Sequence, residues 1–166
     1  MHPNEAAKQV EIQGLQAIVD NIQKSGRGVR GSVYGWNLLH HFSYEGDLLA
    51  VELLLEKGCD PTGSQGQTCC PLHLAVLGSK EDIVQVLLEK GANVNIKDVN
   101  GDTPLTLATM QNCPTIVKLL LYWGADVEAR NKRGFTALNL ATAVAARKEV
   151  KHLLQQAKKD AAGKSK

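Results

Sequence analysis

The sequence predicts an all-α solenoid built from four helix–turn–helix repeats, and three observations support this fold class. A six-residue segment recurs with a constant step of 33 residues, at 70–75, 103–108 and 136–141, with a degraded copy at 37–42. Pairs of leucines keep the same step at 54–55, 87–88, 120–121 and 153–154. Aromatic residues make up only 4% of the chain, so a core of Leu, Val, Ile and Ala on packed helices is expected rather than a sheet. Two markers that share one period indicate a repeat architecture.

The recurring segment carries the residues that begin a helix. Thr103 is suited to cap the helix that it precedes, and Pro104 fits the first helical position, where its missing N–H costs nothing. We therefore predict a first helix at about 103–110 and a second at about 114–122, since Pro114 also suits a helix start. The left-handed residue that ends each second helix is expected at the glycines of positions 58, 91 and 124, with alanine at 157.

An extended finger with a tight turn is predicted between successive repeats. Glycines occupy the turn register at positions 35, 101 and 134. The second repeat has Thr68 in that register and Gly66 two residues earlier, so its finger is expected to differ in shape.

These recurring residues resemble the ankyrin repeat, whose pattern is a turn, Thr-Pro-Leu-His-x-Ala, a second helix ending in Leu-Leu, and Gly-Ala-Asp/Asn-Val-Asn. The resemblance covers about residues 32–160, with repeats at 32–64, 65–97, 98–130 and 131–160. It implies that the residues in the histidine register make a structural hydrogen bond to the finger; these are His40, His73, Thr106 and Asn139. It also implies a protein–protein interaction module or adaptor that binds a partner protein or peptide in the concave groove formed by fingers and inner helices.

Both ends of the array are expected to carry caps, because a repeat array must close off its apolar faces. Residues 1–31 are predicted to form an N-terminal capping helix and a basic linker, and one helix face holds Ile12, Leu15, Ile18, Val19 and Ile22. The alternative for this helix is an amphipathic contact with a partner. At the other end, Glu149 and His152 replace apolar residues of the inner repeats. We expect the array to end there, followed by a basic disordered tail at 161–166, in a complete domain that is monomeric alone.

The registers that vary between ankyrin repeats predict the binding surface. They lie on the fingers and on the exposed face of each first helix, and four of the seven aromatic residues fall there. Interface hot spots favour Trp, Tyr and Arg, so these aromatics indicate a mixed groove for a peptide or helix with an apolar anchor. The predicted partner-binding residues are Tyr34, Trp36, Tyr44, Leu77, Asp102, Met110, Gln111, Trp123, Lys132, Arg133 and Phe135. For Tyr34 and Trp36, packing against the N-terminal helix is the alternative.

Catalytic chemistry is not expected. The chain lacks the Gly-x-Gly-x-x-Gly, Gly-x-x-x-x-Gly-Lys-Ser/Thr, His-Glu-x-x-His and Gly-x-Ser-x-Gly patterns. No metal site is predicted either, because Cys-x-x-Cys spacing is missing among Cys59, Cys69, Cys70 and Cys113. A thiol–imidazole pair of Cys69 or Cys70 with His73 is the one nucleophile to consider, but the repeat already uses this histidine structurally. We therefore predict no enzyme activity, no catalytic residue and no cofactor.

Two alternative functions stay open beside the adaptor. A short ankyrin stack can act as an inhibitor that masks a transcription factor or a kinase. The segment around Asn95, Leu-Leu-Glu-Lys-Gly-Ala-Asn-Val-Asn, also resembles ankyrin sites modified by an asparaginyl hydroxylase, which would make Asn95 a hydroxylation site. A net charge of only +2 gives little reason to expect nucleic-acid binding, and no apolar run is long enough for a membrane span. Without a signal segment, the protein is expected inside the cell, in the cytoplasm, the nucleus or both.

Overall fold

A computed structural model describes residues 13–14, 17, 38–62, 69–143 and 148–163. Residues 13, 14 and 17 are helical, whereas the rest of the predicted capping helix and linker lies outside the described residues. From residue 38 onward, the described ranges hold eight helices and no strand. The helices are α1 (Leu38–Glu45), α2 (Leu48–Glu56), α3 (Pro71–Leu77), α4 (Glu81–Glu89), α5 (Pro104–Met110), α6 (Pro114–Tyr122), α7 (Ala137–Ala143) and α8 (Lys148–Gly163).

The helices form two layers. The first helices of the repeats, α1, α3, α5 and α7, pack on one another along the stack, and the second helices, α2, α4, α6 and α8, form an outer layer in the same order. Each first helix also packs on the second helix of its own repeat. Short connections such as 78–80 and 111–113 make these pairs antiparallel. This arrangement confirms the predicted all-α solenoid.

The predicted helix starts are confirmed in the third repeat. Thr103 has an extended conformation, and its hydroxyl accepts a hydrogen bond from the N–H of Thr106. Pro104 and Pro114 occupy the first positions of α5 and α6. A proline there sacrifices no helical hydrogen bond, which is why the sequence locates both starts closely.

Left-handed residues end the helices at two registers. The predicted one holds Gly58, Gly91 and Gly124, with φ values of +82°, +91° and +83°. A second register lies at the end of the first helices and holds Gly46, Ser79 and Asn112, with φ values of +96°, +54° and +56°. This second register is not evident from the sequence, because two of its three residues are not glycine.

The last helix differs from the prediction. Helix α8 continues to Gly163, so residues 161–163 are helical and do not belong to a disordered tail. The glycine that ends the earlier second helices is replaced by Ala157, and alanine favours helix continuation. A hydrogen bond of 2.9 Å from Gln156 Nε2 to Asp160 Oδ1 lies along the added turn. Lys158 forms an exposed ion pair of 2.8 Å with Glu128 of the preceding repeat, a contact worth at most about 1 kcal/mol. Residues 164–166 lie outside the described residues.

Candidate protein-binding surface

The third and fourth fingers, residues 98–102 and 131–135, are closed by the same side-chain geometry. Asp98 Oδ1 accepts hydrogen bonds of 2.8 Å from the N–H groups of Asn100 and Asp102. Asn131 Oδ1 accepts bonds of 3.0 Å from the N–H groups of Arg133 and Phe135. A left-handed glycine completes each turn, as predicted, with φ values of +78° at Gly101 and +81° at Gly134. The turns of these two fingers are therefore defined by short, specific bonds.

Direct hydrogen bonds join the two fingers to each other. The N–H of Lys132 donates to the carbonyl of Asn100 at 2.9 Å. Asn131 Nδ2 donates to Asp102 Oδ1, also at 2.9 Å. The fingers approach so closely that a Cβ at Gly101 would lie 3.0 Å from the nitrogen of Lys132. We infer that the two fingers act as one rigid platform.

The predicted hydrogen bonds of the two histidines to the fingers are present. His73 Nε2 lies 3.2 Å from the carbonyl oxygen of Asp102, and its Nδ1 accepts the N–H of Cys70 at 3.3 Å. His40 Nε2 lies 3.1 Å from the carbonyl oxygen of Cys69. Both rings are fully buried, and burial lowers the pKa of each imidazole below its usual value of 6.5. The neutral ring is therefore the form that fits this site.

The other two residues in the histidine register bond within their own repeat. Thr106 Oγ1 donates to the carbonyl of Thr103 at 2.6 Å. Asn139 Oδ1 accepts the N–H of Thr136 at 3.0 Å, much as His73 Nδ1 accepts the N–H of Cys70. His73 combines the local bond to Cys70 with a bond to Asp102 of the next finger, because its ring carries two separated nitrogens.

The thiol–imidazole pair lacks an activated sulfur. Cys70 Sγ lies 3.1 Å from His73 Nδ1, within hydrogen-bonding distance. Burial nevertheless raises the pKa of the Cys70 thiol to about 11, so the thiol is protonated at neutral pH. Burial raises the pKa of Cys69 as well, and the nearby Asp98 carboxylate adds to that effect. A nucleophilic cysteine needs the opposite shift. The described part of the chain also contains no group of three His, Cys, Asp or Glu residues that could hold a metal ion.

Three predicted binding residues lie in one row across the inner layer. Tyr44, Leu77 and Met110 lie in the last turns of α1, α3 and α5 in the same register, 33 residues apart. Tyr44 is 45% exposed and Met110 is 47% exposed, while Leu77 is half-buried between them. Because the three helices pack side by side at about 10 Å, the row spans roughly 20 Å. Gln111 is exposed directly after Met110 and lengthens this surface.

Trp123 lies apart from this row. It follows α6 in the outer layer, and α6 runs antiparallel to α5, so Trp123 and Met110 are at opposite ends of the repeat. The Trp123 ring instead makes an edge contact with Tyr122, with 6.4 Å between the ring centroids. Tyr122 is 86% exposed, and together they form an aromatic pair on the outer layer. Met110 and Trp123 belong to one repeat but lie on different surfaces. The sequence alone did not separate the two surfaces.

The predicted finger residues divide into two groups. Lys132, Arg133 and Phe135 are exposed on the fourth finger. Asp102 is half-buried, and both its carboxylate and its carbonyl accept hydrogen bonds from neighbouring repeats. Tyr34 and Trp36 lie outside the described residues. Val99, a finger position in the register of Lys132 that is missing from the predicted partner-binding residues, is also exposed on the third finger.

Asn95, the predicted modification site, connects two repeats. Its Oδ1 accepts the N–H of Asp126 at 2.8 Å, and its Nδ2 donates to the carbonyl of Gly124 at 3.3 Å. The residue is nevertheless exposed to solvent. The amide therefore has a structural role at the base of the fingers and is accessible from outside.

Comparison with known families agrees with this geometry. The family model described as ankyrin repeats (3 copies) matches residues 5–98 and 95–163. A search of curated proteins finds no match to the chain. No helix within the described ranges is long and apolar enough to cross a membrane. Ankyrin repeats generally serve as protein–protein interaction modules. With the family match spanning nearly the whole sequence and the helices stacked in pairs at a period of 33 residues, this chain belongs to the ankyrin-repeat family.

Proposed function

We propose that this chain is an adaptor that binds a partner protein or peptide on the concave face formed by its fingers and inner helices. The observation that carries the proposal is the exposed apolar row of Tyr44, Leu77 and Met110. All three residues lie in the last turns of inner helices that are neighbours along the stack. A continuous apolar row is an unusual feature of a solvent-facing surface and is typical of a contact site.

The surroundings of the row favour a specific contact. Leu77 and Met110 sit on helices whose other residues are all buried, so the backbone beneath this part of the row is held firmly. Tyr44 and Met110 are each about half exposed, so burying the rest of either side chain in a partner would contribute roughly 1 kcal/mol. A partner would meet a backbone that is already in place, so the entropy lost on binding would come mainly from side chains, and this favours the partner complex.

A capture experiment with three matched variants tests the proposal. The wild type, a Tyr44→Ala/Met110→Ala double variant and a Tyr122→Ala control are immobilised and exposed to native lysate. Tyr122 is a suitable control because it is highly exposed but lies on the outer layer. We expect the wild type and the control to capture the same protein and the double variant to lose it. Capture by the double variant at wild-type level would place the contact on another surface.

We further propose Asn95 as a substrate for an asparaginyl hydroxylase, a second function favoured by the exposure of this side chain. Mass spectrometry of the peptide that contains Asn95, prepared from native cells, tests it. We expect a fraction of that peptide to carry the mass of one additional oxygen atom on Asn95. Complete absence of this species from cells that express such an enzyme would contradict the proposal.

A further inference from the structure

We infer that the third and fourth fingers bind an acidic peptide segment that also presents an apolar side chain. Four cations lie at these fingers, namely Lys97, Arg130, Lys132 and Arg133, and two apolar side chains, Val99 and Phe135, lie beside them. The inference rests on the proposed concave-face function, and it names the chemistry of the ligand for the finger part of that face.

The acids of these fingers are already engaged. Both oxygens of Asp98 accept hydrogen bonds within its own finger, Oδ1 from two backbone N–H groups and Oδ2 from Asn100 Nδ2 at 3.5 Å. Asp102 Oδ1 accepts the amide of Asn131 from the neighbouring finger. Residues 97–102 and 130–135 hold these two carboxylates against four cations, so a net positive charge is left on this part of the surface.

The cations, in contrast, face solvent. Lys132 and Arg133 are exposed, and the ion pairs found in the described ranges, Lys118–Glu149 and Lys158–Glu128, both involve α8. Lys97 Nζ donates to the carbonyl of Arg130 at 3.0 Å, and Arg130 Nη1 donates to the carbonyl of Gly134 at 2.8 Å. A carbonyl acceptor leaves the charge of the cation uncompensated. The fingers therefore present a positive surface that complements carboxylates.

The apolar part of the surface adjoins these charges. Val99 is 47% exposed and Phe135 is 45% exposed. Val99 directly precedes Asn100, whose carbonyl accepts the N–H of Lys132, so Val99 lies next to the charged finger. Phe135 follows the turn at Gly134 on the same finger as Arg133. An apolar anchor flanked by acids would meet both kinds of side chain at once.

The rigidity of the platform strengthens the inference. The backbone bond between Lys132 and Asn100 and the side-chain bond between Asn131 and Asp102 fix the fingers before any ligand arrives. A peptide that binds across both fingers would then lose mainly its own conformational freedom. Nucleic acid is the other polyanion to consider, but residues 97–102 and 130–135 hold only two more cations than carboxylates, so these fingers would neutralise few of its phosphates.

The test uses a random peptide library displayed on phage and selected on the whole chain. Selection is run in parallel on the wild type, on Lys132→Gln/Arg133→Gln, and on Lys148→Gln/Lys159→Gln. The last variant is a matched control, since it removes two exposed charges from α8 and leaves the fingers intact. Synthetic peptides from the wild-type selection are then titrated against all three proteins and compared with a single-stranded DNA oligonucleotide.

We expect the wild-type selection to enrich peptides with several acidic residues and an apolar one. Their affinity should fall about fivefold or more in Lys132→Gln/Arg133→Gln and stay unchanged in the control, provided that the three proteins melt alike. The inference is overturned if no peptides are enriched, if those enriched have no acidic excess, or if they bind the finger variant as tightly as the wild type. Displacement of the peptides by the oligonucleotide at lower concentration would overturn it in favour of nucleic acid.

The two proposals can fail separately. In one outcome, Tyr44→Ala/Met110→Ala loses the captured partner and Lys132→Gln/Arg133→Gln has no effect on peptide selection. That outcome would retain the concave-face function and reject the acidic ligand. In the other outcome, acidic peptides are selected through the fingers, but partner capture does not depend on Tyr44 and Met110. That outcome would reject only the role of the apolar row as a contact site.

Discussion

Gly78 and Tyr44 meet where two neighbouring repeats touch. A Cβ on Gly78 would lie 2.5 Å from the carbonyl oxygen of Tyr44, closer than real Cβ atoms approach any atom. Gly78 has an ordinary backbone conformation, with φ of −78° and ψ of −3°, so the requirement for glycine is steric and not conformational. This close approach sets the spacing between the ends of α1 and α3, which carry Tyr44 and Leu77 of the apolar row.

Substitution of Gly78 by alanine should therefore destabilise the stack. We expect Gly78→Ala to lower the free energy of unfolding by roughly 1–3 kcal/mol, because backbone must shift to admit the methyl group. The matched control is Gln111→Ala, in the same register of the next repeat and with nearly the same backbone, φ of −72° and ψ of −8°. That substitution should change stability by less than about 0.5 kcal/mol. Urea unfolding monitored by circular dichroism measures both, and equal effects would refute the steric explanation.

Ser79 offers the opposite substitution. Its φ of +54° lies in the left-handed region, where its register partner Gly46 is at +96°. A side chain there costs about 1–2 kcal/mol, whereas glycine adopts the conformation freely but loses more entropy on folding. We expect Ser79→Gly to stabilise the protein by roughly 0.5 kcal/mol, and Gly46→Ala to destabilise it. The midpoints of urea unfolding should move in opposite directions; movement in the same direction would contradict this account.

The buried histidines should make stability depend on pH. The pKa of His73 is lower in the folded protein than its usual 6.5, so the unfolded chain binds the proton more tightly. The neutral ring contributes fully to the free energy of unfolding above about pH 6.5. This contribution is lost as the pH falls below that value towards the pKa of the folded state, by at most about 1.4 kcal/mol per pH unit.

His73→Asn isolates this effect. The fourth repeat already uses Asn139 in the same register, where Oδ1 accepts the N–H of Thr136. We expect the variant to be less stable at neutral pH, because the bond to the Asp102 carbonyl is lost, but to lose less further stability on acidification. Thermal melting between about pH 7.5 and 5.5 measures the two slopes. Parallel slopes for wild type and variant would show that His73 does not titrate in this range.

The Cys70 thiol should be chemically inert in the native state. With its pKa raised to about 11, the thiolate fraction at neutral pH is on the order of a hundredfold below that of a free cysteine, and the sulfur is buried as well. We expect iodoacetamide to modify Cys70 only after denaturation, as followed by peptide mass spectrometry over time. Rapid alkylation of Cys70 in the folded protein would contradict both the pKa and the burial.

The sequence located those elements whose residues have a strong local preference. Pro104, Pro114 and Gly124 each favour one position in a helix, and the helices begin and end beside them. The left-handed turns at Ser79 and Asn112 could not be found in this way, because tertiary packing imposes the conformation on residues that do not prefer it. The length of α8 was not predicted correctly, because Ala157 replaces the glycine that ends the other second helices. The contact of Lys158 with Glu128 is visible only in the three-dimensional structure.

The candidate surface was predictable to a similar extent. The repeat register alone identified Tyr44, Leu77 and Met110, because residues at the same position in successive stacked repeats lie in a row. Trp123 was predicted for the same groove because it is an aromatic residue in a register that holds Lys90 in the preceding repeat, but the antiparallel course of α5 and α6 separates it from the row. Asp102 looked available in the sequence, but its carboxylate is engaged by Asn131 of the following repeat.

The affinity of a captured partner for two single variants tests the central claim most directly. Isothermal titration calorimetry would compare Met110→Ala with Tyr122→Ala, one on the concave face and one on the outer layer, both exposed in the free protein. Binding on the concave face predicts that Met110→Ala raises Kd by about tenfold, while Tyr122→Ala leaves it within about twofold of the wild type. An unchanged Kd for Met110→Ala together with a large increase for Tyr122→Ala would contradict the claim and move the binding site to the outer helices.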